Sequence, residues 1–429
     1  MKVLVVGGGG REHSLVWKIR QSPEVDNVYC APGNAGIAAQ AECVPIGAEQ
    51  IGRLKEFALE KAIDLTVVGP EAPLVSGIVN EFEEAGLSIF GPTKAAARLE
   101  ASKSFAKEIM KARNVPTGEF KVFTDVEEAL GHLQSVEPPV VIKADGLAAG
   151  KGVTVAHDRK TAQKAVERCM VERAFGDAGD KVMIEECLRG EEASILAFTD
   201  GKNVVPMVSS QDHKPVYDDD EGPNTGGMGA YSPAPVVSDE LKKEIFETIM
   251  IPIVEAMAEG GIPYRGVLYA GLMITNNGPM VLEFNARFGD PENQVIMPRL
   301  KSDIVPVMMA CTKEGGLERC ELEWLSDACV TVVLTSGGYP DSYEKGFPIE
   351  GLDEAGSSEG VIVFHAGTAL KDSEIVTAGG RVLGVTALGR DIPAAMDRAY
   401  DAVGKVRFER MHYRKDIGAK AIARLAEGG

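Results

Sequence analysis

The segment VLEFNARFGDPE, Val281 to Glu292, carries side chains suited to holding a metal ion. Its first part has the pattern of a strand, so Glu283 and Asn285 should point to the same face, because strand side chains alternate. A carboxylate and an amide oxygen suit Mg²⁺, which takes its remaining ligands from phosphates and water. If the strand continues, Arg287 joins that face, where it can neutralise a phosphoryl group or hold a carboxylate. The alternative is a strand end with a charged rim.

A lysine and a glycine-rich loop follow another predicted strand in VVIKADGLAAGKGV. Lys143 stands at the strand end, where its ammonium can meet phosphate oxygens. Lys151 sits at the tip of the loop, and the glycines Gly146, Gly150 and Gly152 let the backbone approach a polyphosphate. The spacing excludes a Walker A loop. Such a loop suits a lid that keeps water from an acyl phosphate. The alternative is a glycine-rich hairpin turn.

The first strand of the chain ends in GGGGRE and leads into a helix. Backbone amides at a helix start, with Arg11 beside them, suit one phosphate group, so Gly10, Arg11 and Glu12 are candidate substrate contacts. The dinucleotide pattern G-x-G-x-x-G fails, because its third glycine falls on Glu12 or His13 and no acid follows the second strand. A tight strand–helix turn with an exposed arginine is the alternative.

An acidic turn follows a predicted strand in VMIEECLRGEEAS. Backbone groups of this turn can read the edge of an adenine, and its later carboxylates can bind ribose hydroxyls. A solvated acidic turn explains the pattern equally well. The candidate nucleotide contacts are Glu185, Glu186, Cys187, Leu188, Glu191 and Glu192.

A long aperiodic stretch, SSQDHKPVYDDDEGPNTGGMGAYSPAP, is rich in Gly, Pro and Asn, a composition typical of functional loops. It offers an anion, an imidazole and a cation in succession, and then a run of backbone amides. The predicted ligand contacts are Asp212, His213, Lys214, Asn224, Thr225, Gly226, Gly227, Met228 and Gly229. For the histidine, the alternative is an ordinary surface residue.

These motifs need a scaffold, and the pattern of elements supplies one. Strands alternate with helices through residues 1–103, which predicts a doubly wound parallel sheet with ligands beyond the strand C-termini. Residues 104–190 and 191–328 are predicted to form two α+β modules, and residues 329–429 a small C-terminal α/β domain.

The composition narrows the class of protein. The chain has 429 residues, enough for two to four domains, and a formal net charge of −19. That acidic balance argues against nucleic acid as a partner, because phosphate backbones require clustered Lys and Arg. Neither a signal-peptide core nor a membrane span is expected, and seven scattered cysteines fit free thiols in the cytoplasm.

Together the motifs resemble the ATP-grasp superfamily and, within it, the phosphoribosylamine–glycine ligase family. GGREH, APGNAG, VGPEAPL, KADGLAAGKGV, SQDHK, GPNTGGMGAYSP, EFNARFGDPE, FHAGT and RKDIG occur in the order typical of that family. The resemblance covers Met1 to Gly418, and GPNTGGMGAYSP is specific to the family. Two positions depart from the family pattern: Gly8, where Asn or Ser is common, and Cys187, where a larger apolar residue is expected.

The resemblance implies a reaction in which ATP, glycine and 5-phospho-β-D-ribosylamine give N1-(5-phospho-β-D-ribosyl)glycinamide, ADP and phosphate, a step of purine synthesis. It implies an ATP-grasp core, ATP and Mg²⁺ or Mn²⁺ as ligands, phosphate binding by Lys103 and Lys143, and a monomer. Arg287, Lys143 and Asp212 are the expected catalytic residues. Gly10, Arg11 and the Asn224 to Gly229 loop are expected to hold the ribose phosphate side, and Asp290 is a further expected substrate contact.

Three other functions were compared with this one. An aminoimidazole carboxylating ligase is disfavoured by the GPNTGGMG loop and by Asp212, His213 and Lys214. A nicotinamide-dependent dehydrogenase is disfavoured by the failed glycine pattern. A silent nucleotide-binding module stays open from sequence alone.

Overall fold

We describe a computed structural model covering residues 1–147 and 152–427. Gly150 and Lys151, predicted to belong to the glycine loop, lie outside the described residues. None of the helices in the described part of the chain is long and apolar enough to cross a lipid bilayer.

The N-terminal region forms the predicted parallel sheet, with strand order β3-β2-β1-β4-β5. Val3 to Val6 of the central strand is fully buried, as expected for a strand covered on both faces. The first helix begins at Gly10, two residues before the predicted start, because Glu12 accepts a hydrogen bond from the Gly9 amide and closes the first turn. The elements are β1 (Lys2–Gly7), α1 (Gly10–Ile19), β2 (Asn27–Pro32), β3 (Glu42–Cys43), α2 (Ile51–Lys61), β4 (Leu65–Val68), α3 (Glu71–Ser76), α4 (Ile78–Glu84) and β5 (Ile89–Phe90).

A small antiparallel sheet follows, with order β6-β9-β7-β8. Two helices, α7 and α8, cover one face of it and share its hydrophobic core. The elements are α5 (Arg98–Ala101), α6 (Lys103–Ala112), β6 (Phe120–Phe123), α7 (Val126–Leu133), β7 (Val140–Ala144), β8 (Val153–Ala156), α8 (Arg159–Met170) and β9 (Val182–Glu186).

The next region contains a larger antiparallel sheet, with order β11-β10-β14-β15. The helical stretch that begins at Asp239 is interrupted by a π-helical turn at Phe246–Met250, just before Pro252, which lacks the amide that a continuous helix needs. The elements are β10 (Glu191–Asp200), β11 (Val204–Pro206), β12 (Gln211–Asp212), β13 (Gly229–Ser232), α9 (Asp239–Ile245), α10 (Ile251–Glu259), β14 (Arg265–Thr275), β15 (Gly278–Asn285), α11 (Glu292–Ile296) and α12 (Ile304–Cys311).

The C-terminal sheet has the order β12-β13-β16-β20-β17, with a separate hairpin of β18 and β19. The short strands β12 and β13 come from the preceding region, so the sheet crosses the predicted boundary between residues 328 and 329. Contacts with α1 fix this region to the first sheet: the His365 amide donates to His13 Nδ1 at 2.7 Å. The elements are β16 (Ala328–Thr335), α13 (Leu352–Gly356), β17 (Val361–His365), β18 (Thr368–Lys371), β19 (Glu374–Thr377), β20 (Arg381–Gly389), α14 (Ile392–Val403) and α15 (Ala419–Glu427).

Candidate active site

The regions meet around a cavity of about 590 Å³. Lysine and arginine side chains from different regions of the chain line this cavity. Three lysines form what we call the lysine side, and three arginines form the arginine side. The lysine side is Lys103, Lys107 and Lys143; the arginine side is Arg11, Arg287 and Arg381.

The predicted metal pair lies in this cavity at the end of β15. Glu283 and Asn285 pair with Gly271 and Tyr269 of β14, and both side chains line the cavity. Within the described part of the chain, the Glu283 carboxylate accepts no hydrogen bond and has no cationic nitrogen within 4.0 Å. Its carboxylate oxygens are therefore unpaired within the described residues and line the cavity.

The charge of Glu283 is stabilised at longer range. Burial raises the pKa of its carboxyl, but Lys214, Lys143 and Lys103 outweigh burial and lower the pKa below its usual value. The carboxylate thus stays ionised, as a metal ligand must be. No group of three or more His, Cys, Asp or Glu with metal-binding geometry occurs in the described ranges. The pair fits Mg²⁺, which needs only one or two protein carboxylates.

Arg287 reaches the cavity from the turn after β15, because the strand ends at Asn285 and does not continue as predicted. Its guanidinium is held by Glu100 at 3.0 Å and Glu71 at 3.3 Å, and it donates to the Phe288 carbonyl at 3.2 Å. Burial lowers the pKa of Arg287, but the two carboxylates outweigh it and raise that pKa. The arginine is thus fixed in place before any ligand arrives.

Lys143 and Lys103 both lie on the lysine side, as predicted. The Lys143 ammonium lies 2.6 Å from Glu185 and donates to the Leu282 carbonyl at 3.0 Å, and Lys103 donates to the Gly146 carbonyl at 2.9 Å. Lys107, which the sequence did not single out, also pairs with Glu185. Burial lowers the pKa of Lys103 and of Lys107. Gly152, from the predicted lid, lines the cavity beside them.

The residues of the acidic turn, predicted to contact a nucleotide, only partly face the cavity. Glu185 is buried and faces the lysines. Glu192 pairs with Lys214 at 3.1 Å, whereas Glu191 pairs with Arg424 of α15, away from the cavity lining. Side chains of Glu186, Cys187 and Leu188 are absent from the cavity wall formed by the described residues, so any contact there would be through the backbone.

The side chains of Asp212, His213 and Lys214, at and just after the end of β12, do not all face the cavity. Asp212 and Lys214 face the cavity 3.1 Å apart, and burial raises the pKa of Asp212 to about 7. His213 points the other way, against Tyr231, and burial lowers its pKa to about 3. The structure therefore does not bring His213 to the cavity as the sequence predicted.

The loop from Asn224 to Gly229 also divides. Asn224, Thr225 and Gly226 line the cavity. Gly227 turns the chain with φ of 113°, and a side chain there would lie 2.4 Å from Pro291. Met228 is fully buried and Gly229 belongs to β13, so these last two residues anchor the loop instead of facing a ligand.

The N-terminal turn contributes Arg11 to the cavity. Its Nε donates to Glu12 at 2.6 Å and its Nη1 to the Phe288 carbonyl at 3.1 Å. Glu12 also caps the Gly9 amide, and Gly10 packs against Gln294, so neither faces the cavity. Of the three predicted contacts in this turn, the structure brings Arg11 alone to the site.

Several lining residues were missed by the sequence reasoning: Glu71, Glu100, Tyr269, Glu292, Tyr339 and Arg381. Arg381, at the start of β20, pairs with the predicted contact Asp290 at 3.2 Å and donates to the Gly226 carbonyl at 2.6 Å. Glu71 stands in the noted GPEAP turn at a strand end, which was a usable signal. Arg381 had none, because it converges on the site only through the C-terminal sheet.

Comparison with known proteins identifies the relatives of this architecture. Family models for the N domain, the ATP-grasp (A) domain and the C domain of phosphoribosylglycinamide synthetase match residues 1–100, 101–293 and 329–420. A phosphoribosylamine–glycine ligase of Caldanaerobacter subterraneus subsp. tengcongensis is 54% identical over 98% of this chain and 100% of its own length. One from Vibrio parahaemolyticus is 52% identical over 100% of both chains.

A solved structure agrees with the sequence relatives. The crystal structure of phosphoribosylamine–glycine ligase from Thermotoga maritima superposes with a TM-score of 0.82 at 33% identity, covering 97% of this chain and 100% of that one. The three family models and the full-length relatives place every region described above within one known architecture. The chain belongs to the phosphoribosylamine–glycine ligase (phosphoribosylglycinamide synthetase) family of ATP-grasp ligases.

Proposed function

We propose that this chain uses ATP to join glycine to 5-phospho-β-D-ribosylamine, giving N1-(5-phospho-β-D-ribosyl)glycinamide, ADP and phosphate. One observation carries the proposal beyond family membership. A single cavity holds an oxygen pair of metal-binding type, Glu283 and Asn285, together with a lysine side and an arginine side. A ligase needs this combination, because it must bind a polyphosphate and two further substrates at once.

The chemistry proceeds in two steps. A glycine carboxylate oxygen attacks the γ-phosphorus of ATP, and the bond to ADP breaks, giving glycyl phosphate. The ribosylamine nitrogen then attacks the glycyl carbonyl carbon, the carbon–oxygen bond to phosphate breaks, and the nitrogen loses a proton. Lys143 and Lys103 bind phosphate oxygens, and Arg287 offsets charge on the transferred group. Asp212, beside Lys214, faces the cavity in which the ribosylamine nitrogen must lose its proton.

Glu283 and Asn285 are the residues that would hold a divalent cation, Mg²⁺ or Mn²⁺. Their fit rests on the unpaired, ionised Glu283 carboxylate and the neighbouring amide oxygen in the cavity wall. When bound, such a cation neutralises phosphate charge during phosphoryl transfer.

Substrate dependence tests the proposed function directly. ADP release with Mg²⁺ and ATP should require both glycine and ribosylamine, and the product should contain the amide. Equal ADP release with another amino acid and no ribosylamine would show that the substrates are wrong. A bicarbonate-dependent reaction would instead indicate a carboxylating ligase.

Replacing Glu283 with Gln tests the metal assignment. The variant keeps the side-chain size and loses the charge, so we expect turnover to fall at least about 10³-fold while most ATP binding remains. The measurements are steady-state ADP release and ATP titration by calorimetry. Glu344→Gln, an exposed residue paired with Arg410, is the matched control. Unchanged turnover in Glu283→Gln would overturn the assignment.

The proposal includes a cytoplasmic, monomeric enzyme acting on small molecules without nucleic acid. The acidic balance and scattered free cysteines support it. Sedimentation of the purified chain measures the oligomeric state, and a mass twice that of the 45.6 kDa chain would contradict the monomer.

A further inference from the structure

The carboxylates of the cavity fall into two groups. Most of them form an ion pair with a cationic side chain. Glu71 and Glu100 share Arg287, Asp212 pairs with Lys214, and Asp290 pairs with Arg381. Such pairing is the rule, because a buried charge without a partner costs free energy.

Two carboxylates of the cavity, the half-buried Glu283 and the buried Glu292, break this rule. Across residues 1–147 and 152–427, neither Glu283 nor Glu292 has a Lys, Arg or His nitrogen within 4.0 Å. Asp341 also lacks an ion pair, but it is exposed at the rim and is solvated there. The proposed metal ion accounts for Glu283, whereas Glu292 has Arg287 and Arg381 only at longer range and has no cation in contact.

Glu292 is held in a defined position although it has no counter-charge. It is 2% exposed. Its Oε1 accepts hydrogen bonds from the Tyr269 hydroxyl at 2.5 Å and the Ser194 hydroxyl at 3.1 Å. Its Oε2 accepts none from the part of the chain that is described, although Glu292 lines the cavity. One oxygen is thus anchored and the other is available to a ligand.

The sheet places this carboxylate next to the metal pair. Tyr269 on β14 pairs directly with Asn285 on β15, and Gly271 on β14 lies between Ser194 on β10 and Glu283 on β15. Adjacent strands are about 4.8 Å apart. The two hydroxyls that hold Glu292 therefore belong to the same two cross-strand rows as the proposed metal ligands.

Glycine has the matching arrangement of charges. A single carbon separates its carboxylate, which is phosphorylated beside the metal pair, from its ammonium group. We propose that Glu292, positioned by Tyr269 and Ser194, is the receptor for the ammonium group of glycine. This inference rests on the function proposed above and assigns the site of one of its substrates.

The chemistry of the two steps is consistent with a carboxylate beside the glycine ammonium group. The ammonium group takes part in neither step, since the first forms an oxygen–phosphorus bond and the second replaces phosphate at the carbonyl carbon. An ionised partner also keeps the glycine nitrogen protonated. A protonated nitrogen has no lone pair, so only the ribosylamine nitrogen can attack glycyl phosphate. Asp212 is a weaker candidate because it already pairs with Lys214.

Glu292→Gln tests the proposal through separate Michaelis constants. Gln retains an oxygen that can accept from Tyr269 and Ser194 but has no charge. We expect the KM for glycine to rise about 10- to 100-fold, the value of a charged hydrogen bond, with the KM for ATP and the Mg²⁺ dependence unchanged. Tyr269→Phe should raise the same KM by a smaller factor. Tyr264→Phe, which removes a buried hydroxyl bonded to the Val267 carbonyl, is its control.

A second readout separates ligand recognition from a role in folding. Removing an unpaired buried charge should leave the Tm of the ligand-free Glu292→Gln variant equal to that of the wild type or higher. Glycine with ATP should raise the Tm of the wild type and of Glu344→Gln, and should raise that of Glu292→Gln less.

Three outcomes would overturn the inference. A fall in Tm together with equal rises in every KM would make Glu292 a structural anchor. An altered Mg²⁺ requirement with an unchanged KM for glycine would make it a further metal ligand. An unchanged glycine KM and Mg²⁺ dependence would show no role in either. If the wild type itself showed no glycine-dependent ADP release, the proposed function would fail first.

Discussion

The lysine and arginine sides of the cavity differ in how their charges are held. On the lysine side, Lys143 and Lys107 share one carboxylate, Glu185, and Lys103 contacts only a backbone carbonyl among the described residues. On the arginine side, Arg287 alone has two carboxylates, Glu71 and Glu100. Cations therefore outnumber their paired carboxylates on the lysine side. On the arginine side, the paired carboxylates equal or outnumber the cations.

This difference suits the ligands proposed for each side. A surplus of lysine charge without a ligand favours a polyphosphate, which supplies the missing negative charge. Arginines already paired with carboxylates add little net charge to the cavity. Their fixed hydrogen-bond donors suit smaller substrates that must be held in one orientation. Planar guanidinium groups hold such geometry better than flexible ammonium groups do.

Lys143→Met should give the largest effect. Loss of its ammonium should lower kcat/KM for ATP about 10²- to 10³-fold, because a preorganised charge facing the phosphates is removed. Stability should change only slightly, since Lys107 still pairs with Glu185. Steady-state kinetics and urea unfolding measure the two quantities. Lys202→Met, in an exposed turn, is the control. A large loss of stability in Lys143→Met would contradict the difference described between the lysine side and the arginine side.

Arg287→Lys should affect both activity and stability. A lysine keeps the charge but cannot serve Glu71 and Glu100 together, so we expect kcat/KM for glycine to fall about 10- to 100-fold. The free energy of unfolding should fall by about 2–3 kcal/mol, because one buried carboxylate loses its partner. Arg113→Lys, at the surface pair with Glu259, is the comparison. Full stability in Arg287→Lys would contradict a preformed arginine side.

Asp212→Asn should give the smallest effect, visible as a pH dependence. Burial raises the pKa of Asp212 from 3.8 to about 7 in the folded protein, so the folded state binds this proton more tightly than the unfolded state. The wild type therefore loses stability from this group as pH rises from about 4 to about 7. The variant lacks that loss, so its stability relative to the wild type should rise steadily with pH across the window. A constant difference in urea unfolding across this range would rule out the shift.

Local patterns were sufficient for one class of site residue. Lys143 lies near the end of β7 and Arg11 lies in the first turn of α1 after β1, and both reach the cavity. Glu283 and Asn285 share a face because of strand alternation, which holds over two residues in any strand. For these residues, position in the element determines the direction of the side chain.

The prediction for His213 failed. Asp212 ends β12, and His213 then pairs by backbone hydrogen bonds with Met228 and Gly229, so its side chain packs on Tyr231 while those of Asp212 and Lys214 face the cavity. Arg381 and Glu292 illustrate the opposite limit. No motif surrounds Arg381, and Glu292 closes the VLEFNARFGDPE segment without a role having been predicted for it; they join the site through contacts with Gly226 and Tyr269, which depend on tertiary packing. Such contacts follow from the tertiary fold alone.

The sheet shared by β12, β13 and the C-terminal strands also restricts how the molecule can move. Because both ends of the loop carrying Asn224 to Gly226 are hydrogen-bonded into that sheet, the loop and the C-terminal region must travel as one rigid unit. Arg381 belongs to the same unit. Any movement of this unit away from the cavity would withdraw Asn224, Thr225, Gly226 and Arg381 together, and would have to break the backbone pairing of Ser194 with Ser210 that ties it to β10.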